Sequence, residues 1–195
     1  MVSKNSVLKI KPLTPARWDD FSALFGANGA CGGCWCMWFR LSRPVFGAGK
    51  KNGGAGNKQA IKKIVDESAV PPGLLAYDRK TAVGWCALAP RPDYARLANS
   101  RVLKPVDGKP VWSVSCFFVA KTHRRKGVTV ALLKAADAFA IKHGAKLLEG
   151  YPVDPGKDQP DAFVFPGLIG AFEKAGYKEV ARRSKSRPIM RRKIA

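Results

Sequence analysis

The hydrophobic positions of this chain change period several times, and each change marks an element. Residues 7–13 alternate apolar and polar in the manner of a strand. Thr14 then stands as an N-cap candidate, with Pro15 at the first helical position and Asp19 and Asp20 in the early turns. Trp18, Phe21, Leu24 and Phe25 recur at helical spacing, and Gly26 ends that helix. Asn57 is placed to cap a second helix that turns Ile61, Ile64 and Val65 inward. Residues 73–79 and 82–89 read as a hairpin around Lys80-Thr81. Residues 111–120, rich in Val, Phe and Trp, form the strongest strand pattern. From 127 to 143 the period is helical again, carried by Val128, Leu132, Ala135, Ala136 and Phe139 and stopped by Gly144. A short strand over 146–151, a helix over 167–175 closed by Gly176, and strands over 177–183 and 188–194 complete the order β-α-α-β-β-β-α-β-α-β-β.

Three stretches interrupt this pattern. Residues 46–57 hold five Gly and no large apolar side chain after Phe46, a composition that predicts a flexible surface loop. Residues 90–110 and 152–166 are rich in Pro and read as ordinary loops. The strand at 111–120, the helix at 127–143 and the strand at 146–151 have the βαβ form that demands a parallel pair, and the other strands can run antiparallel. The expected fold class is therefore α/β (α+β): one domain over 1–195, with a mixed, mostly antiparallel sheet, one parallel strand pair and helices on both faces.

Composition narrows the function classes. At about 150 residues per domain, 195 residues make one domain, and such a chain buries about 70% of its unfolded surface without staples. A hydrophobic content of 46% with five Trp excludes a disordered chain. The N-terminus lacks the apolar segment of a signal peptide, and the longest apolar run, 111–120, is far short of the ~20 residues that span a bilayer. A cytoplasmic protein without a membrane partner is expected, and its five Cys are expected as free thiols. The oligomeric state is left open. Lys and Arg number 35 against 14 Asp and Glu, a net charge of +21 that points to a polyanionic partner. Nucleic acid is disfavoured, because no helix-turn-helix, zinc-finger or RNP pattern accompanies the charge.

The charge is concentrated where the best strand meets the best helix. From Arg79 to Lys134 twelve basic residues face only Asp93 and Asp107, and the stretch contains Arg124-Arg125-Lys126-Gly127-Val128-Thr129. A helix N-terminus leaves about four backbone N–H groups unpaired and carries a positive partial charge. Gly127 lets a phosphate approach that backbone closely, and Lys121, Arg124, Arg125 and Lys126 surround it. The same residues would also serve as a solvated basic turn.

This run resembles the pyrophosphate-binding signature of the GNAT acetyltransferase superfamily: Arg or Gln, two residues, Gly, one residue, then Gly or Ala. The final position departs from it, being Thr129. The element order agrees across almost the whole chain, and Gly167-Leu-Ile-Gly-Ala-Phe-Glu-Lys-Ala-Gly-Tyr177 is similar to the family's later helix and turn. The resemblance implies acetyl-CoA as cofactor, its pyrophosphate on the backbone from Arg124 to Thr129. It implies pantetheine pairing along Phe117, Phe118 and Val119 by strand addition, with the Phe118 or Val119 amide meeting the thioester carbonyl. The implied activity is N-acetyl transfer to a primary amine of a small molecule or peptide, an acidic acceptor included. The alternatives are a GNAT-like protein that binds CoA without turnover, and a basic nucleic-acid-binding module.

Acetyl transfer needs a neutral amine and a proton for the departing thiolate. The position where the family often places a Tyr acid holds Phe172, so Tyr151 and Tyr177 are the substitutes, and Glu149 near a strand end is the candidate base. Asp154 and Asp158 read as turn caps or as contacts to the substrate's cation. Cys116 alternates with Trp112, Val114 and Phe118, which predicts a buried structural thiol and puts Ser113 and Ser115 on the opposite, cleft face. The segment Cys31-Gly-Gly-Cys34-Trp35-Cys36-Met37-Trp38-Phe39-Arg40 offers three thiols without a second pair or local His, so no metal is expected. The resemblance is strongest to a bacterial GNAT subgroup with such a segment and an unassigned substrate. It implies that Trp35, Trp38 and Arg40 wall the acceptor pocket, with buried thiols among aromatics as the plainer reading.

Overall fold

The computed structural model describes residues 8–155 and 164–195. Its strands are β1 (Lys9–Pro12), β2 (Gly73–Asp78), β3 (Thr81–Pro90), β4 (Trp112–Val119), β5 (Leu147–Gly150), β6 (Lys178–Arg182) and β7 (Pro188–Lys193). They form one sheet in the order β1-β2-β3-β4-β5-β7-β6. β4 and β5 run parallel and every other pair is antiparallel, so the expected fold class is the one observed. On one face lie α5 (Val128–Lys142) and α6 (Ile169–Lys174), packed on Leu74, Cys86, Leu88, Val114 and Phe117. On the other lie α1 (Trp18–Phe25), α2 (Arg43–Gly49) and α3 (Lys51–Glu67), whose Phe21, Phe25, Phe46 and Ile61 meet Leu75, Trp85 and Ala87. A third cluster on that face joins Phe39, Tyr94, Leu97, Leu103, Tyr151 and Ile189. No helix among the described residues is long and apolar enough to cross a membrane.

Several local expectations are corrected. Residues 46–57 are not a long flexible loop: they carry the end of α2 and the start of α3, broken by a left-handed turn at Asn52, Gly53 and Gly54. The glycines there serve close packing. A Cβ on Gly33 would lie 2.7 Å from the Gly54 backbone, so two chain segments touch where neither side can carry a side chain. Asn57 does not cap a helix. It is buried inside α3, and its Nδ2 donates to the Gly33 carbonyl at 2.8 Å. Thr14 makes no side-chain cap, and a short 3-10 turn, Pro15–Arg17, precedes α1. The stretch 90–110 is anchored, with a short helix α4 (Ala95–Ala98) and Arg91 Nη2 donating to the carbonyls of Leu97 and Leu103.

The most consequential correction lies in β4. Ala87 pairs with Cys116 but Leu88 pairs with Val114, so Ser115 is the extra residue of a β-bulge. The bulge flips the alternation. Val114 and Phe117 share the α5 face, whereas Cys116 and Phe118 turn to the α1 face, away from Val114. Pairing with β5 ends at Val114–Gly150, so the parallel strands part at the bulge.

Candidate active site

Beyond the bulge, β4 leads through a 3-10 turn, Lys121–His123, into α5. Val128 is buried and pins the turn to the core, its Cγ1 close against Gly84. Arg125 and Gly127 adopt left-handed backbone, φ 60° and 79°. Among the described residues no side chain caps α5, which leaves its first amides pointing outward from Gly127 onward. A Cβ on Gly127 would meet nothing within 4 Å, so the space above it is open. Lys121, Arg125 and Lys126 are exposed around that space, and Thr129 is half-buried. Arg124 Nε donates to the Val119 carbonyl at 3.3 Å. His123 Nε2 lies 3.1 Å from Asp78 Oδ2, tying the turn to the end of β2.

The free edge of β4 continues from this turn. Ala120 N–H donates to Val83 on β3, and Phe117 N–H donates to the Phe165 carbonyl on the opposite side at 2.6 Å. Amides of neighbouring strand residues point to opposite edges. Phe118 N–H therefore faces β3 and Val119 N–H faces the parted edge. The Phe165 segment fills part of the gap between the strands: Val153 N–H donates to Gly167, and Ile169 N–H donates back to Val153.

Glu149 and Tyr151 lie on the α1 face of the sheet and are fully buried. Glu149 Oε1 accepts from Arg91 Nη1 at 2.7 Å and from the Tyr151 hydroxyl at 2.7 Å, and Oε2 accepts from Arg191 Nε at 2.7 Å. The Tyr151 hydroxyl also meets Arg91 Nη1 at 2.6 Å and Ser113 Oγ at 2.7 Å. Arg191 reaches on to Asp107, holding that carboxyl below its ordinary range. Burial, reinforced by the Glu149 charge, pushes the Tyr151 phenol well above its ordinary value. Both residues are thus saturated by protein partners. Arg91 and Arg191 were absent from the sequence reading. The alternation of β7 puts Ile189 and Arg191 on one face, which was the available signal for one of them.

Residues 37–157 match the model of the acetyltransferase (GNAT) family. The chain belongs to the GNAT acetyltransferase family. It is an acyltransferase by that membership, and the family's cofactor is acetyl-CoA. No curated protein matches it in sequence. Among solved structures, PaiA N-acetyltransferase from Thermoplasma acidophilum in complex with coenzyme A is 15% identical with a TM-score of 0.51, covering 96% of this chain and 99% of its own. YncA from Salmonella typhimurium with its cofactor acetyl-CoA is 14% identical with a TM-score of 0.51, covering 98% and 95%. Histone acetyltransferase HPA2 and related acetyltransferase from Corynebacterium glutamicum is 17% identical with a TM-score of 0.54, covering 96% and 97%. At these identities the likeness is one of fold.

In this GNAT chain the Cys/Trp segment divides between buried and exposed positions. Trp35 is core: its ring stacks on Phe25 at 5.6 Å, Lys58 Nζ sits 4.9 Å over it, and it borders a cavity of about 480 Å3 between α1 and the start of α3. Trp38 is 38% exposed, with the Arg96 guanidinium 3.9 Å over its ring and Phe165 at 6.5 Å. Arg40 packs 4.8 Å over the Tyr94 ring. Asp154 sits apart from these, accepting from Arg182 Nη1 at 2.6 Å, and Asp158 lies outside the described residues. Cys31 is exposed, Cys34 half-buried and Cys36 buried. Cys36 Sγ accepts from Trp85 Nε1 at 3.0 Å. Burial raises the Cys36 thiol, but contacts from Cys116 and Trp85 and the Arg40 charge outweigh it and hold it below its ordinary value.

Proposed function

We propose that this GNAT acetyltransferase moves an acetyl group from acetyl-CoA directly to a primary amine of a small molecule or peptide. The observation that carries the reading is the continuity of the open, uncapped turn at Gly127 with the free β4 edge at Val119. The turn fits a pyrophosphate: outward amides, open space over Gly127, and exposed Arg125 and Lys126 on either side of it. Arg124, Arg125, Lys126, Gly127, Val128 and Thr129 would hold the phosphates. Val119 N–H would hold the carbonyl, in place of Phe118, whose amide faces β3. When bound, acetyl-CoA supplies the activated acetyl thioester. Along the edge, Phe117 N–H is already engaged by Phe165, so a ligand pairing there must take that bond from the Phe165 carbonyl.

Glu149 and Tyr151 we assign to positioning. Their network ties β4, β5 and β7 together at the level where the strands part, and a saturated carboxylate is a poor acceptor for another proton. The amine attacks the acetyl carbon and gives its proton to water, the C–S bond breaks, and the departing CoA thiolate takes its proton from water. Trp38 and Arg40 border the acceptor side, whereas Trp35, packed on Phe25, belongs to the core. Phe172, fully buried between Phe117 and Tyr177, brings no proton and favours the second reading, CoA binding without turnover.

Calorimetric titration with CoA and a CoA-release assay over a panel of amines and peptides test the proposal. Charge reversal in Arg124→Glu is expected to weaken CoA binding at least about tenfold, the loss of one charge-assisted contact. Unchanged affinity overturns the cofactor site. CoA binding with no release for any amine favours the second reading.

A further inference from the structure

Cys31, Gly32, Gly33 and Cys34 form a tight turn that begins and ends on a thiol. Cys34 N–H donates to the Cys31 carbonyl at 3.2 Å, so the turn is closed by its own hydrogen bond. Gly32 and Gly33 take φ of 55° and 72°, left-handed backbone that side chains would strain. The turn is anchored from beneath. Gly33 N–H donates to the Asn28 carbonyl at 2.8 Å, and the Gly33 carbonyl accepts from the buried Asn57 at 2.8 Å. The first and last residues of such a turn hold their Cα atoms less than about 7 Å apart, and a disulfide needs about 4.4–6.8 Å. The backbone thus already brings Cys31 and Cys34 to bridging separation.

The two thiols differ in the way a stepwise exchange requires. Cys31 is exposed, open to a reagent in solution, and Cys34 is half-buried behind it. Burial, with the neighbouring Cys36, pushes the Cys34 thiol up to about 11. Its charged form is therefore costly, whereas a disulfide sulfur is neutral and suits the site. The other three thiols are set apart. Cys86 and Cys116 are buried, and the buried Cys36 is turned to Trp85, whose Nε1 donates to its Sγ at 3.0 Å. The surroundings of the turn are cationic. A Cβ on Gly32 would lie 3.6 Å from Lys50 Nζ, and Arg96 is within electrostatic reach of Cys34. In a chain of net charge +21, such a site draws an anionic reagent.

We propose that Cys31 and Cys34 are a reversible dithiol–disulfide pair that exchanges with small anionic disulfides. The Cys31 thiolate attacks one sulfur of the external disulfide, whose S–S bond breaks and whose other half leaves as a thiolate. Cys34, its proton passing to water, then attacks the Cys31 sulfur and displaces the second half. The protein loses two electrons and two protons, and the external disulfide gains both in becoming two thiols. The new bond closes on the turn already present, at the root of the segment that carries Trp38 and Arg40.

Reduced full-length protein is incubated with glutathione disulfide at mildly alkaline pH without oxygen, then unfolded and alkylated. By intact mass the expected product has lost two hydrogens and retains no glutathione. Label is expected on Cys36, Cys86 and Cys116 alone, and dithiothreitol restores label on all five cysteines. Cys34→Ser is expected to stop with one glutathione on Cys31. Cys31→Ser is expected to lose thiols at least about tenfold more slowly, since the exposed nucleophile is gone. Label on Cys31 or Cys34 of the wild-type product, a bridge that includes Cys36 or Cys116, or unchanged kinetics in Cys31→Ser overturns the pair. Should Cys34→Ser not fold, the wild-type labelling pattern decides by itself. The rate with glutathione disulfide, relative to that with the neutral hydroxyethyl disulfide, is expected to fall at least about threefold as salt is added. A ratio that salt leaves unchanged overturns the anionic partner.

Discussion

Replacing Glu149 with Gln separates two roles for one residue. A carboxylate that takes the amine's proton and a carboxylate that holds strands together respond differently to loss of charge. Glu149 has no exposed surface, and the guanidiniums that flank it are 11% exposed at Arg91 and 9% at Arg191. Glu149→Gln keeps the shape but turns one acceptor oxygen into a donor facing a guanidinium. Arg191 retains only the half-exposed Asp107, and Arg91 is left with carbonyls and a phenol. Removing one member of a buried ion pair costs about 3–5 kcal/mol. For a chain of this size each kcal/mol lowers Tm by about 2–4 °C, so a fall of about 6–20 °C is expected. Thermal unfolding followed by circular dichroism reads it, and kcat measured well below the variant's Tm is expected to stay near wild type. The reasoning is refuted if Tm moves by less than about 3 °C while kcat falls about a hundredfold or more, the effect of deleting a general base.

Tyr177 tests the acid in the same spirit. Its hydroxyl is buried without a hydrogen-bond partner among the described residues, and burial pushes its phenol well above the ordinary value. Tyr177→Phe is expected to leave Tm unchanged or slightly raised and kcat intact, and a tenfold fall in kcat at constant Tm would make it the proton donor instead. Amide hydrogen exchange tests the β4 edge. Saturating acetyl-CoA is expected to slow exchange at Val119 and to leave Phe118 as it was, and the reverse pattern would refute the edge assignment.

How legible each part was in the sequence depended on how local its cause is. β4, α5 and the turn between them were readable because strand composition, helical period and a glycine at the junction all lie within about thirty consecutive residues. The bulge was not readable. Cys116, Phe117 and Phe118 are all apolar, so the alternation carries no mark of which face each takes, and the extra residue shows itself only in pairing with β3. The Gly-rich run at 46–57 failed for a related reason. Glycine enrichment is the same whether it loosens a linker or admits a neighbouring backbone, and the neighbour, Gly33, lies about twenty residues away. Glu149 was legible as a candidate base near a strand end, but its burial and its partners were not. Its partners stand 58 residues upstream and 42 downstream, where no spacing rule connects them.

The net charge of +21 is reinterpreted by the same long-range contacts. Twelve residues, 182–193, hold seven cations and look like a polyanion-binding tail. In the fold, Arg182 is bound to Asp154 and Glu179, Arg191 to Glu149 and Asp107, and Arg192 to Asp137. Arg183 donates to the carbonyls of Val102, Lys104 and Pro105, as Arg91 does to Leu97 and Leu103. A guanidinium that grips a carbonyl is structurally committed yet cancels no formal charge. Part of the net charge is therefore structurally committed, while lysines such as Lys80, Lys109 and Lys185 remain exposed. Lys121, Arg125 and Lys126 are likewise exposed, and no hydrogen bond or ion pair of their side chains occurs among the described residues. The cations left over after the fold has taken its share thus include those ringing Gly127. A small, multiply phosphorylated ligand accounts for them better than a long polyanion, which would need an extended row of phosphate contacts where Arg182, Arg183, Arg191 and Arg192 of the tail are already engaged.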